Sequence, residues 1–410
     1  MLVLSAVVLF MVNLGLSGAE LPTEEPPTVN QFKLYTRAHP DSSVHLAEDA
    51  SNLTVTDFNT SSSTVVIIHG YTESHSSNTV QAIRDAYLHA SDLNVVVINW
   101  WSLARGPRYE VAARNTKEVG RSLANFLDNL IRETQGAARR DLHIVGFSLG
   151  AQVAGIAAGQ LTTGKLLRIT ALDPAKPIFE IRDDAERLDA SDAEFVQVIH
   201  TASGFLSFLE PVGHADFYPN GGRAPQPPCP GGEALVCSHH MACTYFAESV
   251  YRPLSFPATL CDSWNNFQRG ECDGNPPIFM GAFTPLSARG KFYLKTNSEA
   301  PYGQGKSTKT AEVTTAPSSN CSQSNMVDLN GGKSLCRPWT AEATESPSVE
   351  AQNDTQVHVT ASTSFDENAT ITAVVVICFV LLSVLFILFF LVRHSEVVIN
   401  FCRRTNVINL

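Results

Sequence analysis

Basic residues are scarce in this chain. Its 410 residues hold 29 Lys and Arg against 40 Asp and Glu, a net charge of −11. With no basic patch to neutralise phosphates, a nucleic-acid partner is excluded. No internal repeat is evident, which excludes repeat architectures. Charge is also missing from two long apolar runs, one near each end of the chain. Otherwise the composition is that of a folded protein, 44% hydrophobic and 17% charged. The length suits one large domain or two average ones.

The first uncharged run, residues 1–19, ends in small residues at Ser17 and Ala19 and predicts a secretory signal peptide cleaved after Ala19. It lacks a basic leading segment, so an uncleaved anchor is the alternative. The second run, 371–392, is long enough for a helix to cross a hydrocarbon core of about 30 Å. Acidic and Asn-rich sequence precedes it, and Arg393, Arg403 and Arg404 follow. The positive-inside rule puts the 393–410 tail in the cytoplasm and the rest outside. The expected location is thus extracellular, single-pass and anchored at the cell surface, with secretion as the alternative.

Seven of the nine cysteines precede the apolar run, where disulfides persist, and an odd count leaves at least one thiol free or paired with another chain. Asn-x-Ser/Thr sequons at Asn52, Asn59, Asn320 and Asn353 predict glycosylation on exposed loops; a fifth at Asn368, only a few residues from the membrane, is the weakest.

Residues 30–304 have the pattern of one α/β domain. The Val- and Ile-rich runs STVVIIHGY, LNVVVINWW, DLHIVGF and LLRITALDPA read as buried strands of a largely parallel sheet. Helical spacing lies between them: Val80, Ile83, Ala86 and Tyr87, then Val119, Leu123, Phe126, Leu127 and Leu130 within residues 116–135. Strand–helix–strand alternation predicts a doubly covered sheet with right-handed crossovers. From 305 to 370, Ser, Thr, Asn, Glu and Pro dominate and apolar content is too low for a core, so a flexible stalk is expected.

Chemistry concentrates at Gly146-Phe147-Ser148-Leu149-Gly150, between a strand and an Ala-rich helix. This matches the nucleophile elbow, whose glycines admit a strained turn and a close strand–helix approach. A serine nucleophile needs a base, and the base needs an orienting carboxylate. In this fold they follow in the order Ser, acid, His. Asp173, just past the next strand, is the candidate acid. His200, His214, His239 and His240 are all candidate bases on this ground alone. The Leu149 amide, immediately after the nucleophile, is a candidate oxyanion donor.

Six segments in order, HIVGFSLGAQVAG, ALDPA, FVQVIHTASG, VGHADFYPNGG, CSHHMACTYFAES and GKFYLKTNSEAPYGQG, resemble the pancreatic lipase family of secreted animal lipases and phospholipases A1 over about residues 30–304. The resemblance implies an α/β-hydrolase fold and extracellular hydrolysis of lipid carboxylic esters. It implies His239, in Cys237-Ser238-His239, as the base of a Ser148–Asp173–His239 triad. His240 and Met241 depart from the family pattern there. It implies Tyr71 as the second oxyanion donor, disulfides Cys229–Cys237 and Cys261–Cys272, and no required cofactor. Asp184, Arg187, Asp189 and Asp192 resemble its structural calcium loop. The partner implied is a lipid substrate or membrane surface. Only seven residues separate Cys229 from Cys237, too few for a helical lid, which resembles the phospholipase A1 branch. Triacylglycerol or galactolipid hydrolysis, and a non-catalytic lipid-binding member, are the alternatives. The family's C-terminal β-sandwich domain has no counterpart in residues 305–410.

Overall fold

The computed structural model describes residues 30–305, and beyond them the backbone of two short strands. The expected signal peptide (1–19), membrane run (371–392), tail (393–410) and the sequons at Asn320, Asn353 and Asn368 lie outside the described residues. So does most of the expected stalk (305–370). Within it Met326–Leu329 pairs antiparallel with Lys333–Cys336, a hairpin that its composition did not announce. Among the described residues no helix is long and apolar enough to cross a membrane.

The sheet begins with an antiparallel hairpin, β1 (Gln31–Thr36) and β2 (His39–Leu46). Its parallel centre follows: β3 (Thr64–Ile68), β4 (Asn94–Asn99), β5 (Leu142–Phe147), β6 (Leu166–Leu172), β7 (Ala193–Ile199) and β8 (Ala215–Pro219). The short strands β9 (Pro257–Leu260), β10 (Ile278–Phe279) and β11 (Gly290–Leu294) extend the far side. The eleven strands run in the order β10-β9-β11-β8-β7-β6-β5-β3-β4-β1-β2. β3 and β4 are exchanged relative to chain order and β5 carries the elbow at its end, which is the α/β-hydrolase arrangement expected.

Among the described residues four long helices cover the sheet: α1 (Asn78–Ala90), α2 (Tyr109–Glu133), α3 (Leu149–Ala158) and α4 (Ala234–Tyr251). Alternation along the strands sorts the core into two layers. Val66, Ile68, Val96 and Ile98 pack with α2 and α3 through Val119, Leu123 and Val153. Val65, Ile67, Val95 and Val97 pack with α1 and α4 through Val80, Ile83 and Phe246. Burial on both faces explains why these strands are continuously apolar. Helix α2 starts about seven residues earlier than its apolar stripe suggested, because Gly106-Pro107 stops only just short of it and Ala112 and Ala113 are already buried. Strand β2 is exposed over most of its length.

Candidate active site

The elbow sits where β5 ends. Ser148 adopts φ 54° and ψ −116°, a backbone conformation disfavoured for residues with a Cβ. A Cβ at Gly146 would come within 2.5 Å of the Gly150 carbonyl oxygen, and one at Gly150 within 2.6 Å of the His69 carbonyl oxygen. The two glycines therefore let strand, helix and the β3 loop meet around Ser148. The Ser148 amide donates to the Leu172 carbonyl at 3.0 Å. Phe147 pairs with Leu172 in the β5–β6 register, so Ser148 and Asp173 are the next residues off adjacent strand ends.

Asp173 is fully buried and also has a positive φ, 43°. Its Oδ1 accepts from the Thr201 and Ala202 amides at 2.7 and 3.1 Å. Its Oδ2 accepts from His239 Nδ1 at 2.6 Å. With one oxygen fixed by the main chain after β7, the other is aimed at the imidazole, and Nε2 of His239 is left as the ring's free acceptor. His239 stands in the second turn of α4, 7% exposed, with Phe147 packed at 4.6 Å between ring centroids. No hydrogen bond joins Ser148 to His239 among the described residues. In enzymes without substrate, hydrogen bonds between nucleophile and base are often long.

The other histidines are engaged elsewhere. His200 is buried between Asp216 Oδ1 (2.8 Å) and the Phe208 carbonyl (3.0 Å), stacked on Tyr218. His214 Nδ1 accepts from the Val196 amide. His240 is half exposed and lies 3.9 Å from Glu73.

The loop after β3 carries Tyr71, the residue the resemblance implies as the second oxyanion donor. His69 Nε2 accepts from the Trp100 amide at 3.1 Å, so the proton is on Nδ1, which donates to the Gly70 carbonyl at 2.9 Å. Burial pushes this imidazole down to about 4, so it is neutral. Gly70 and Tyr71 share one planar peptide, and fixing its carbonyl turns the Tyr71 amide the opposite way. The Tyr71 ring is clamped by its hydroxyl on the Gly106 carbonyl and by the edge of Tyr109. Leu149 opens α3, so its amide has no carbonyl one turn earlier to bond. Beside this loop lies a cleft of about 600 Å³ whose lining includes Glu73, Trp101, His240 and Cys243.

In the expected calcium loop, Asp184 pairs with Arg187, while Asp189 and Asp192 form a reciprocal capping box. Asp192 is buried, and desolvation followed by the charge of Asp189 pushes its carboxyl up to about 8. An under-compensated buried carboxylate next to a second one is an environment that a hard cation relieves. Among the described residues no three His, Cys, Asp or Glu side chains converge, so main-chain oxygens would have to complete such a donor set.

The structure pairs Cys229 with Cys237 and Cys261 with Cys272. Cys243 is free and buried, and its burial raises the thiol well above its ordinary value. Helix α4 begins at Ala234, inside the Cys229–Cys237 ring, so the ring holds no separate lid helix. Of the two described sequons, Asn59 is exposed, whereas both ends of the Asn52 amide bond the chain, to the Ala47 amide and the His45 carbonyl.

Sequence reasoning missed the groups that hold Asp173 and His69, namely the Thr201 and Ala202 amides and the Trp100 amide, and it missed Glu73, which accepts from the Gly70 amide at 2.9 Å. The first three are main-chain donors, for which side-chain identity carries no signal. Glu73 looks like any polar loop residue.

The family model described as Lipase matches residues 16–302 of the chain. Phospholipase A1 member A of Mus musculus is 33% identical over 327 residues, 72% of this chain and 70% of that protein. Lipase member H-A of Xenopus laevis is 37% identical over 251 residues, 59% of this chain and 53% of that protein. Pancreatic triacylglycerol lipase of Myocastor coypus is 34% identical over 271 residues, 60% and 58% respectively. The chain spans about half the length of the lipase member H proteins it matches.

Proposed function

This chain belongs to the Lipase family, and from that premise we propose that it hydrolyses carboxylic esters of lipids with Ser148, His239 and Asp173. The observation that carries the reading is the 2.6 Å contact from His239 Nδ1 to Asp173 Oδ2, set beside a serine at a strained elbow. In the proposed reaction His239 Nε2 takes the Ser148 proton as Oγ attacks the acyl carbon. The Leu149 and Tyr71 amides receive the oxyanion, and Asp173 stabilises the imidazolium. His239 then protonates the leaving alcohol, and water, deprotonated by the same ring, releases the fatty acid.

Phospholipid is the preferred substrate class, with phospholipase A1-like cleavage. The support is that the disulfide ring is occupied by the start of α4 and carries no lid over the site. Two disulfides support an oxidising, extracellular setting. We assign the 371–392 run as the tether to a membrane surface, and Asp189 and Asp192 as ligands of a structural calcium that takes no part in the reaction.

The test compares the parent with Ser148→Ala on phosphatidylcholine and on triolein, with fluorophosphonate labelling of both. Fatty acid release from phosphatidylcholine by the parent alone is expected, with a loss of several orders of magnitude in the variant. Release from triolein alone would move the substrate to triacylglycerol. No release and no labelling would leave a lipid-binding protein.

A further inference from the structure

The turn after β3 is held by a group that the proposed reaction does not use. Residues 70–73 form a tight turn in which the Glu73 amide bonds the Gly70 carbonyl at 3.4 Å. The Glu73 side chain closes the turn from the other side. Its Oε2 accepts from the Gly70 amide at 2.9 Å, and its Oε1 accepts from the Thr79 hydroxyl at 2.6 Å. The carboxyl is only 12% exposed, and burial raises it above its ordinary range.

Three amides of this turn are engaged, the first by the Glu73 carboxyl: Gly70 on Glu73, Thr72 on the Ala104 carbonyl, and the Glu73 amide on the Gly70 carbonyl. Tyr71 keeps the remaining donor. Its neighbour Thr72 sits at φ 61°, an outlier for a β-branched residue. Such strain persists only when its surroundings over-determine it. Glu73 bridges this strained turn to the first helical turn of α1, which carries Thr79.

We propose that Glu73 is a positioning residue: by holding the Gly70 amide and the Thr79 hydroxyl, it keeps the strained turn in the form that aims the Tyr71 amide at the developing oxyanion. The inference rests on the hydrolase reading above. Without the carboxylate, the Gly70 amide loses its acceptor and the strained turn loses its tie to α1; the Gly70–Tyr71 peptide is then held through its carbonyl alone, by His69 Nδ1 and the Glu73 amide, and the Tyr71 amide is aimed less closely.

The test measures kcat and KM on a soluble p-nitrophenyl ester for the parent, Glu73→Ala, Glu73→Gln and Thr79→Val, together with fluorophosphonate labelling. Glu73→Ala is expected to lower kcat about 10- to 100-fold, less than loss of an oxyanion donor itself, with KM within about twofold. Glu73→Gln should stay within about fivefold of the parent, because its amide oxygen can accept from Gly70. An unchanged kcat in the Ala variant overturns the inference. So does a Gln variant as slow as Ala, since charge and not geometry would then be at issue. If the Ala variant does not fold, Thr79→Val carries the test: a several-fold fall in kcat at constant KM supports it, and an unchanged kcat overturns it. A parent that neither turns over ester nor takes the label sinks the hydrolase reading and this inference together. An active parent with an indifferent Ala variant sinks this inference alone.

Discussion

Replacing Ser148 by glycine and by alanine separates backbone strain from chemistry. Both substitutions remove the hydroxyl and should abolish turnover. They differ in the Cβ that is forced to φ 54° and ψ −116°. Holding a non-glycine residue in such a region costs about 1–3 kcal/mol. Glycine avoids that cost but loses roughly 0.5–1 kcal/mol through its freer unfolded chain. The Gly variant is therefore expected to be more stable than the Ala variant by about 1 kcal/mol. With a urea dependence of about 3 kcal/mol per molar, the midpoint should rise by roughly 0.3 M. Equilibrium urea unfolding followed by tryptophan fluorescence reads the difference directly. An Ala variant as stable as Gly, or more so, would refute the claim that this serine is held in a costly conformation.

Three further outcomes are expected. His239→Ala should lose at least about 10³-fold in kcat/KM, whereas His240→Ala, which leaves the His239–Asp173 bond in place, should stay within about tenfold; the reverse order would reassign the base. Asp192 holds its proton up to about 8 when folded but releases it near 3.8 when unfolded, so the folded state binds more protons between these values and stability falls as pH rises. Urea midpoints in chelator should thus decline from pH 5 to pH 8 in the parent and stay flat in Asp192→Asn, and calcium at pH 8 should restore the parent alone. Replacing Cys229 and Cys237 by serine opens a ring of sequence separation 8 and should cost roughly 2–3 kcal/mol in the same assay.

The centre of the sheet was readable because strands buried on both faces must be apolar throughout, as the Val95 to Ile98 run shows. Its margins were not: β2 is mostly exposed and β10 has two residues, so neither leaves an apolar pattern. Within the site, Ser148 was legible because two glycines mark the elbow. Periodicity could not separate His239 from His200, since both are buried and each faces a carboxylate; only the resemblance chose between them. Glu73 escaped because its partners are the Gly70 amide and a threonine hydroxyl, and neither is signalled by residue spacing.

The two margins of the sheet have a bearing on how the protein behaves in a crowd of its own copies. An outer strand offers unpaired amides and carbonyls to any passing chain. Here one margin is β2, whose His39-Pro40-Asp41 start removes a donor and adds a charge. The other is β10, too brief to template a neighbour. A sheet of eleven strands thus ends on both sides in segments that resist growth, which guards the folded domain against stacking edge to edge at high local density.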